Sequence, residues 1–305
     1  MRYRLSRLFI PFCLVIVTIQ AAAKPLLVLM DFDAWFPSSG PGLVIYDDGV
    51  IIYQSPKEIL IRRRHDYTWV KSFCYMTSHV PDSAAFINRL FPYNWAALKP
   101  KYTLSAATDQ VTTLLWHSGQ IIEIYGDWRR FLEPGDDGDS DPVRSIVESE
   151  NALRQSLPRT FRGFLQGLDR FSDPQAQMWL PEIVNISLYK YTRPVNSPIV
   201  WPTDFPRPTN FRHGPVPEIV ETGIALPAQY YLKLRTLLSQ TVYPGTVSID
   251  GENYVVSEFT FPFPGEETWK RDLALKRERE KQEMLKEIEK LPPDKRKEIK
   301  KLLGL

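Results

Sequence analysis

Three stretches of the chain repeat one hydrophobic pattern: a β-rich apolar run, a turn pair ending in Gly, and a second β-rich run. The first is Leu43-Val44-Ile45-Tyr46, Asp47, then Asp48-Gly49, then Val50-Ile51-Ile52-Tyr53. The second runs from Thr112 to His117, through Ser118-Gly119, into Gln120 to Tyr125. The third is Thr246 to Ile249, Asp250-Gly251, and Glu252 to Phe261. A two-residue loop with positive φ matches the twist of antiparallel strands, and Gly adopts it without a Cβ clash. The pattern therefore predicts three tight β-hairpins.

Helical spacing takes over in two places before hairpins. Val80-Pro81-Asp82-Ser83 opens a segment with Ala85, Phe86, Ile87 and Leu90, and Leu226-Pro227-Ala228 opens another with Tyr230, Tyr231, Leu234, Leu237 and Leu238. Proline suits a first helical turn, where its missing N–H leaves no bond unmade. Strand-like residues precede each helix, at 68–79 and 222–226. The order strand, helix, hairpin thus occurs twice, which reads either as two related lobes or as a coincidental α+β order. Further helices are expected at 143–156 and 158–171, and a strand at 183–191. Residues 192–217 contain seven prolines, including Trp201-Pro202 and Pro206-Arg207-Pro208. Such a run predicts an extended surface strap joining the lobes rather than a regular ladder.

After Pro264 the pattern thins to a narrow stripe of Trp269, Leu273, Met284, Ile288 and Leu291 in a segment dense in Glu, Lys and Arg. This predicts a solvated helix docked by one apolar edge, supported by pairs such as Asp272–Lys276, and interrupted at Pro292-Pro293. The sharper alternative is a partner-binding helix. The expected fold is α+β, with antiparallel sheets built around three tight hairpins, packed helices and a charged C-terminal helical tail. Its expected divisions are a signal peptide at 1–23, an α+β lobe at 24–132, an acidic loop and helices at 133–181, a second α+β lobe at 182–265, and the tail at 266–305.

The N-terminus carries Arg2, Arg4 and Arg7, a 12-residue apolar run from Leu8 to Ile19, and Ala21-Ala22-Ala23. This is the layout of a cleavable export signal, too short to span a bilayer as a helix. Cleavage near Ala23 would start the product at Lys24, in the periplasm or outside the cell. The remaining chain has no second membrane-length stretch, with 35 basic and 36 acidic residues. Residues 24–265 carry a net −4 and the tail a net +3, so no basic patch on the body suggests nucleic acid as a partner. Cleavage also removes Cys13 and leaves Cys74 alone, which forbids an internal disulfide in the product.

Candidate chemistry is sparse. Asp137, Asp139 and Asp141, with Glu148 at position twelve when Asp137 is counted as one, resemble the ligand spacing of a calcium loop. Pro142 occupies the position that needs a positive-φ Gly, so the stretch reads either as a looser calcium loop or as a hydrated acidic linker. No nucleophile elbow, zinc helix or phosphate-binding glycine pattern is present, and no catalytic residue, cofactor or metal site is nominated. His65, His79, His117 and His213 are scattered, and alternation points Cys74 and His79 to opposite strand faces. Eight tryptophans and fourteen tyrosines raise a sugar-stacking platform, but Trp69, Trp116 and Trp179 sit in strand-like surroundings where burial is simpler.

The stretch Pro41-Gly42-Leu43-Val44-Ile45-Tyr46-Asp47-Asp48-Gly49 resembles a Pro-x-apolar-x-apolar-Tyr-x-Asp-Gly hairpin motif of uncharacterised exported bacterial proteins. Thr112-Thr113 to Tyr125-Gly126, Trp201-Pro202 and the closing hairpin from Thr246 to Pro264 are similar to later features of that group. The resemblance covers about residues 41–264 and implies architecture and export, not an activity. Two function classes follow as expectations. The leading one is a non-catalytic envelope or secreted interaction module with a protein partner at the C-terminal helix. The alternative is an extracytoplasmic hydrolase, acting on envelope polysaccharide, whose carboxylates converge only in three dimensions.

Overall fold

The computed structural model describes residues 23–32, 40–55, 75–106, 110–129, 153, 155–190, 198–208, 210–213, 220–239 and 246–302. The expected export signal with Cys13, and likewise His65, Trp69, Cys74, the acidic loop Asp137 to Asp141, Glu148 and most of 143–156, lie outside the described residues, as does the side chain of His213. The fold is α+β, with two mostly antiparallel sheets and five α-helices among the described residues. No described helix is long and apolar enough to cross a membrane.

In chain order the first sheet contains β1 (Pro25–Phe32), β2 (Leu43–Tyr46), β3 (Val50–Gln54), β4 (Tyr75–His79), β5 (Lys101–Thr103), β6 (Thr112–His117), β7 (Gln120–Tyr125) and β8 (Gln177–Trp179). They line up as β5-β7-β6-β1-β2-β3-β4-β8, antiparallel except for β5 beside β7. Its strands carry continuous apolar runs because both faces are buried. Leu27, Leu29, Leu43, Ile45 and Leu115 face one core, whereas Val28, Met30, Val44, Tyr46 and Trp116 face the other. The first core is covered by helices α1 (Ser83–Leu90) and α2 (Arg159–Asp169), which contribute Ile87, Phe161, Phe164, Leu165 and Leu168.

The second sheet contains β9 (Ile183–Lys190), β10 (Ile199–Val200), β11 (Asn210–His213), β12 (Val220–Pro227), β13 (Thr246–Ile249) and β14 (Glu252–Thr260), ordered β10-β13-β14-β9-β12-β11. Only one face of it is buried. Val184, Ile186 and Leu188 point inward, whereas Ile183 and Asn185 are exposed. A bulge between Val256 and Glu258 switches the inward parity of β14, so Tyr254 and Val256 are followed by Phe259. Helix α3 (Ala228–Ser239) adds Tyr231 and Leu234 to this core. The inner faces of the two sheets share one core, and Tyr75 lies in it. Its buried ring makes edge contacts with Trp179, Phe261 and Phe263, and its hydroxyl donates to the Pro41 carbonyl at 3.0 Å.

All three hairpins form, with one difference in the first. Ser118 and Gly119 both have positive φ (48° and 94°), as do Asp250 and Gly251 (52° and 83°), and each pair closes a two-residue loop. In β2–β3 the register pairs Ile45 with Ile51, so Tyr46 lies opposite Val50 and Asp47-Asp48-Gly49 form a three-residue loop. Only Gly49 there has positive φ, the arrangement of a turn followed by a left-handed residue.

The repeated linear order is not a repeated topology. The first strand of β6–β7 borders β1, whereas the second strand of β13–β14 borders β9. Helix α1 is opened by Asp82, whose carboxylate accepts from the Ala85 amide at 2.9 Å, with Pro81 one position outside. The proline-rich strap also departs from the expectation of no ladder. It supplies both edges of the second sheet, β10 on one side and β11 on the other, where a strand needs partners on one flank only. Trp201 and Phe205 anchor it in the core, and the Trp201 indole donates to the Pro206 carbonyl at 3.1 Å.

Candidate functional site

The C-terminal segment forms α4 (Glu266–Glu289) and α5 (Pro293–Leu302). Gly265 turns the chain into α4 with a φ of 65°, and Glu266 accepts the Phe263 amide at 3.1 Å. The root of α4 lies on the first sheet. Trp269 and Leu273 are buried in the shared core, and the Trp116 indole donates to Asp272 at 3.0 Å. Lys276 reaches Glu123 on β7 at 2.7 Å and also pairs with Glu280. The expected Asp272–Lys276 pair is thus replaced. Both side chains find partners on the sheet or further along the helix, because docking aims them inward rather than at each other. Burial works against the charge of Glu123, but bonds from Lys276 and Lys101 outweigh it and hold its pKa below the ordinary carboxylate value.

Beyond this root the helix leaves the body. Past Arg277, which still reaches the Phe32 ring, residues 278–284 are all exposed, about two turns with no side covered. Ile288 is buried again, near the turn where α5 folds back onto the end of α4. Arg296 donates to the Glu289 and Leu291 carbonyls at 2.8 and 3.2 Å, and Lys300 pairs with Glu289 at 2.6 Å. Cations thereby cap the carbonyl end of α4, where the helix dipole favours them. The result is a helical arm about 20 Å long. Met284, expected on the docked stripe, is 41% exposed on this arm.

Two clefts flank these features. One, of about 310 Å³, lies between the end of β1 and the root of α4, lined by Met30, Phe32, Pro41, Phe261, Trp269, Leu273 and Ala274, with Glu266, Lys270 and Arg277 at its rim. The other, of about 250 Å³, has Asp31, Asp169 and Arg129 beside Tyr53 and Phe171. Here Arg129 donates to Asp31 at 2.7 Å and to Asp169 at 2.8 and 2.9 Å, and its guanidinium stacks 4.5 Å from the Trp128 ring centroid. Thr113 donates to Asp31 at 2.6 Å and accepts the Trp128 indole at 2.8 Å. Burial alone would lower the Arg129 pKa, but the two carboxylates raise it. Nothing local in the sequence marks this trio, whose members lie on β1, after β7 and on α2.

The two histidines whose side chains are described, His79 and His117, are not gathered. His79 contacts the Asp48 carbonyl at 3.1 Å beside the first hairpin loop, and His117 stacks on Trp95 with centroids 4.1 Å apart. Burial pushes the His117 pKa down. Among the described residues no three His, Cys, Asp or Glu side chains are placed to hold a metal ion. Trp116 is buried and Trp179 is packed against the core. No family model matches the chain, nor does any curated protein or solved structure.

Proposed function

We propose that this chain is an exported, non-catalytic interaction module that engages a protein partner through the arm formed by distal α4 and α5. The observation that carries this reading is the run of exposed residues 278–284, a helical stretch with none of its side chains buried against the body. An isolated helix this short is marginal in water, so a partner that covers it adds stability the chain does not supply alone. Deleting the whole tail would strip Trp269 and Leu273 from the core and confuse unfolding with lost binding. A chain ending at residue 278 keeps that root. Partners that crosslink to the full chain are expected to be lost from this shortened one, and recovery of the same partners by both overturns the reading.

The export signal has its own test. The Lys24 backbone nitrogen donates to the Asp47 carboxylate at 2.9 Å. Cleavage after Ala23 would convert that amide into an α-ammonium facing Asp47. Mass spectrometry of the exported product is expected to find Lys24 first. In that product Asp47→Asn is expected to cost stability below about pH 8, the ordinary α-amino pKa, and less as the amine deprotonates above it.

One observation favours the hydrolase alternative: Asp31 and Asp169 converge in an aromatic-sided cleft. A glycosidase pair needs one carboxyl that holds a proton at working pH. Arg129 bridges both carboxylates, so their oxygens are engaged with a guanidinium rather than aimed into the cleft, which weighs toward a structural role. Loss of polysaccharide cleavage in both Asp31→Asn and Asp169→Asn, with folding intact, would revive catalysis.

A further inference from the structure

The cleft between β1 and the root of α4 has a shape and charge that the arm reading does not use. Its lining on α4 runs from Glu266 to Arg277, three helical turns or about 16 Å, so it is a slot rather than a bowl. Its floor is apolar, formed by Met30, Phe261, Trp269 and Leu273, and its volume of about 310 Å³ suits a small ligand. The charges at its rim are unequal. Lys270 is neutralised by Glu266 at 2.6 Å. Arg277 has no carboxylate partner among the described residues, and its guanidinium sits 5.9 Å from the Phe32 ring centroid. An elongated apolar slot with one uncompensated cation at its end is complementary to a chain with one anionic head.

We propose that this slot binds a single-chain amphiphilic anion, an acyl carboxylate whose chain lies along Trp269 and Leu273 and whose head meets Arg277. The guanidinium fork matches a carboxylate in two-point geometry, which an ammonium could not do. A cationic amphiphile would place like charges together, and an uncharged alcohol would gain only the apolar contact.

Calorimetry on the full chain separates these cases, with decanoate, decanol and decyltrimethylammonium as probes below their micellar concentrations. Decanoate is expected to bind saturably at one site, about tenfold tighter than decanol, with the cation weaker still. Arg277→Gln is expected to bring decanoate down to the decanol level without changing decanol binding. Because Arg277 and Ala274 are both exposed, neither substitution threatens the core. Ala274→Phe, which fills the slot from its wall, is expected to abolish binding of all three probes with an unchanged circular dichroism spectrum. Non-saturable uptake of decanoate, equal affinity for decanoate and the cation, or full binding by the folded Ala274→Phe chain each overturns the proposal.

Discussion

Gly49 and Gly251 adopt the same left-handed backbone but stand in different surroundings. A Cβ on Gly251 would meet nothing within 4 Å, whereas one on Gly49 would fall 2.2 Å from the Val80 carbonyl oxygen. Both substitutions pay for the backbone region, but only one also displaces a neighbouring strand end that is bonded to Gly49 itself. Urea unfolding should therefore show about 1 kcal/mol lost for Gly251→Ala and about 3 kcal/mol for Gly49→Ala. Equal losses would contradict the packing argument. Arg129 poses a second residue-scale question, because its three-way bridge is about one-third exposed. Solvent screening limits its worth, so Arg129→Ala should cost about 1–2 kcal/mol. Arg129→Lys should recover only part of that, since an ammonium cannot fork between Asp31 and Asp169 or stack equally on Trp128. Full recovery by Lys would mean that charge alone matters there.

At the scale of elements, the root of α4 is the part that ties the C-terminal segment to the first sheet. Glu123 and Lys276 carry side chains only 19% and 16% exposed, so their contact is shielded. The folded Glu123 pKa lies below the ordinary 4.5, so its contribution is whole above that value and is lost as the pH falls through the lowered one. The Lys276 pKa is raised above 10.5 by its bonds to Glu123 and Glu280, against the opposing effect of burial. Its contribution is therefore whole below 10.5 and is lost as the pH rises past its folded value. Glu123→Gln should cost about 2 kcal/mol at neutral pH, and the gap from the unmodified chain should close as the pH falls through the lowered Glu123 pKa. A pH-independent difference in chemical unfolding would rule out this pair as the cause. The strap shows the same scale from another side. Its prolines do forbid a central ladder, yet two short edge strands need so few donors that they form between them.

On the scale of the whole molecule, the body and the arm should differ in stability. The body has a sheet buried on two faces and two apolar cores, whereas residues 278–284 are exposed on every side. Opening should therefore begin on the arm. Limited trypsin treatment is expected to cut at Arg279, Lys281 or Lys286 while bonds within 266–276 stay protected. Equal cleavage of root and arm would mean that the arm is covered in solution. Both proposals use α4, but different parts of it: the arm beyond residue 277 for a partner, the root up to Arg277 for a ligand slot.

How much of this was legible beforehand depends on the range of the interaction. Turn chemistry is local, so Ser118-Gly119 and Asp250-Gly251 could be read directly, and Gly49 was identified although its loop proved one residue longer. Alternation within β2 or β9 and the helical stripe of Trp269 and Leu273 are equally local. By itself, then, the sequence determined the α+β class, the three hairpins and a charged C-terminal helix touching the body along a thin edge. The tertiary structure alone decided which strands adjoin, that Arg129 joins carboxylates 98 and 40 residues away, and that Asp272 and Lys276 turn from each other to Trp116 and Glu123. The physical reason is that a backbone's φ preferences and a side chain's periodicity act within a few residues. Charge partners and cavities are instead set by whichever distant surfaces the buried apolar faces bring together.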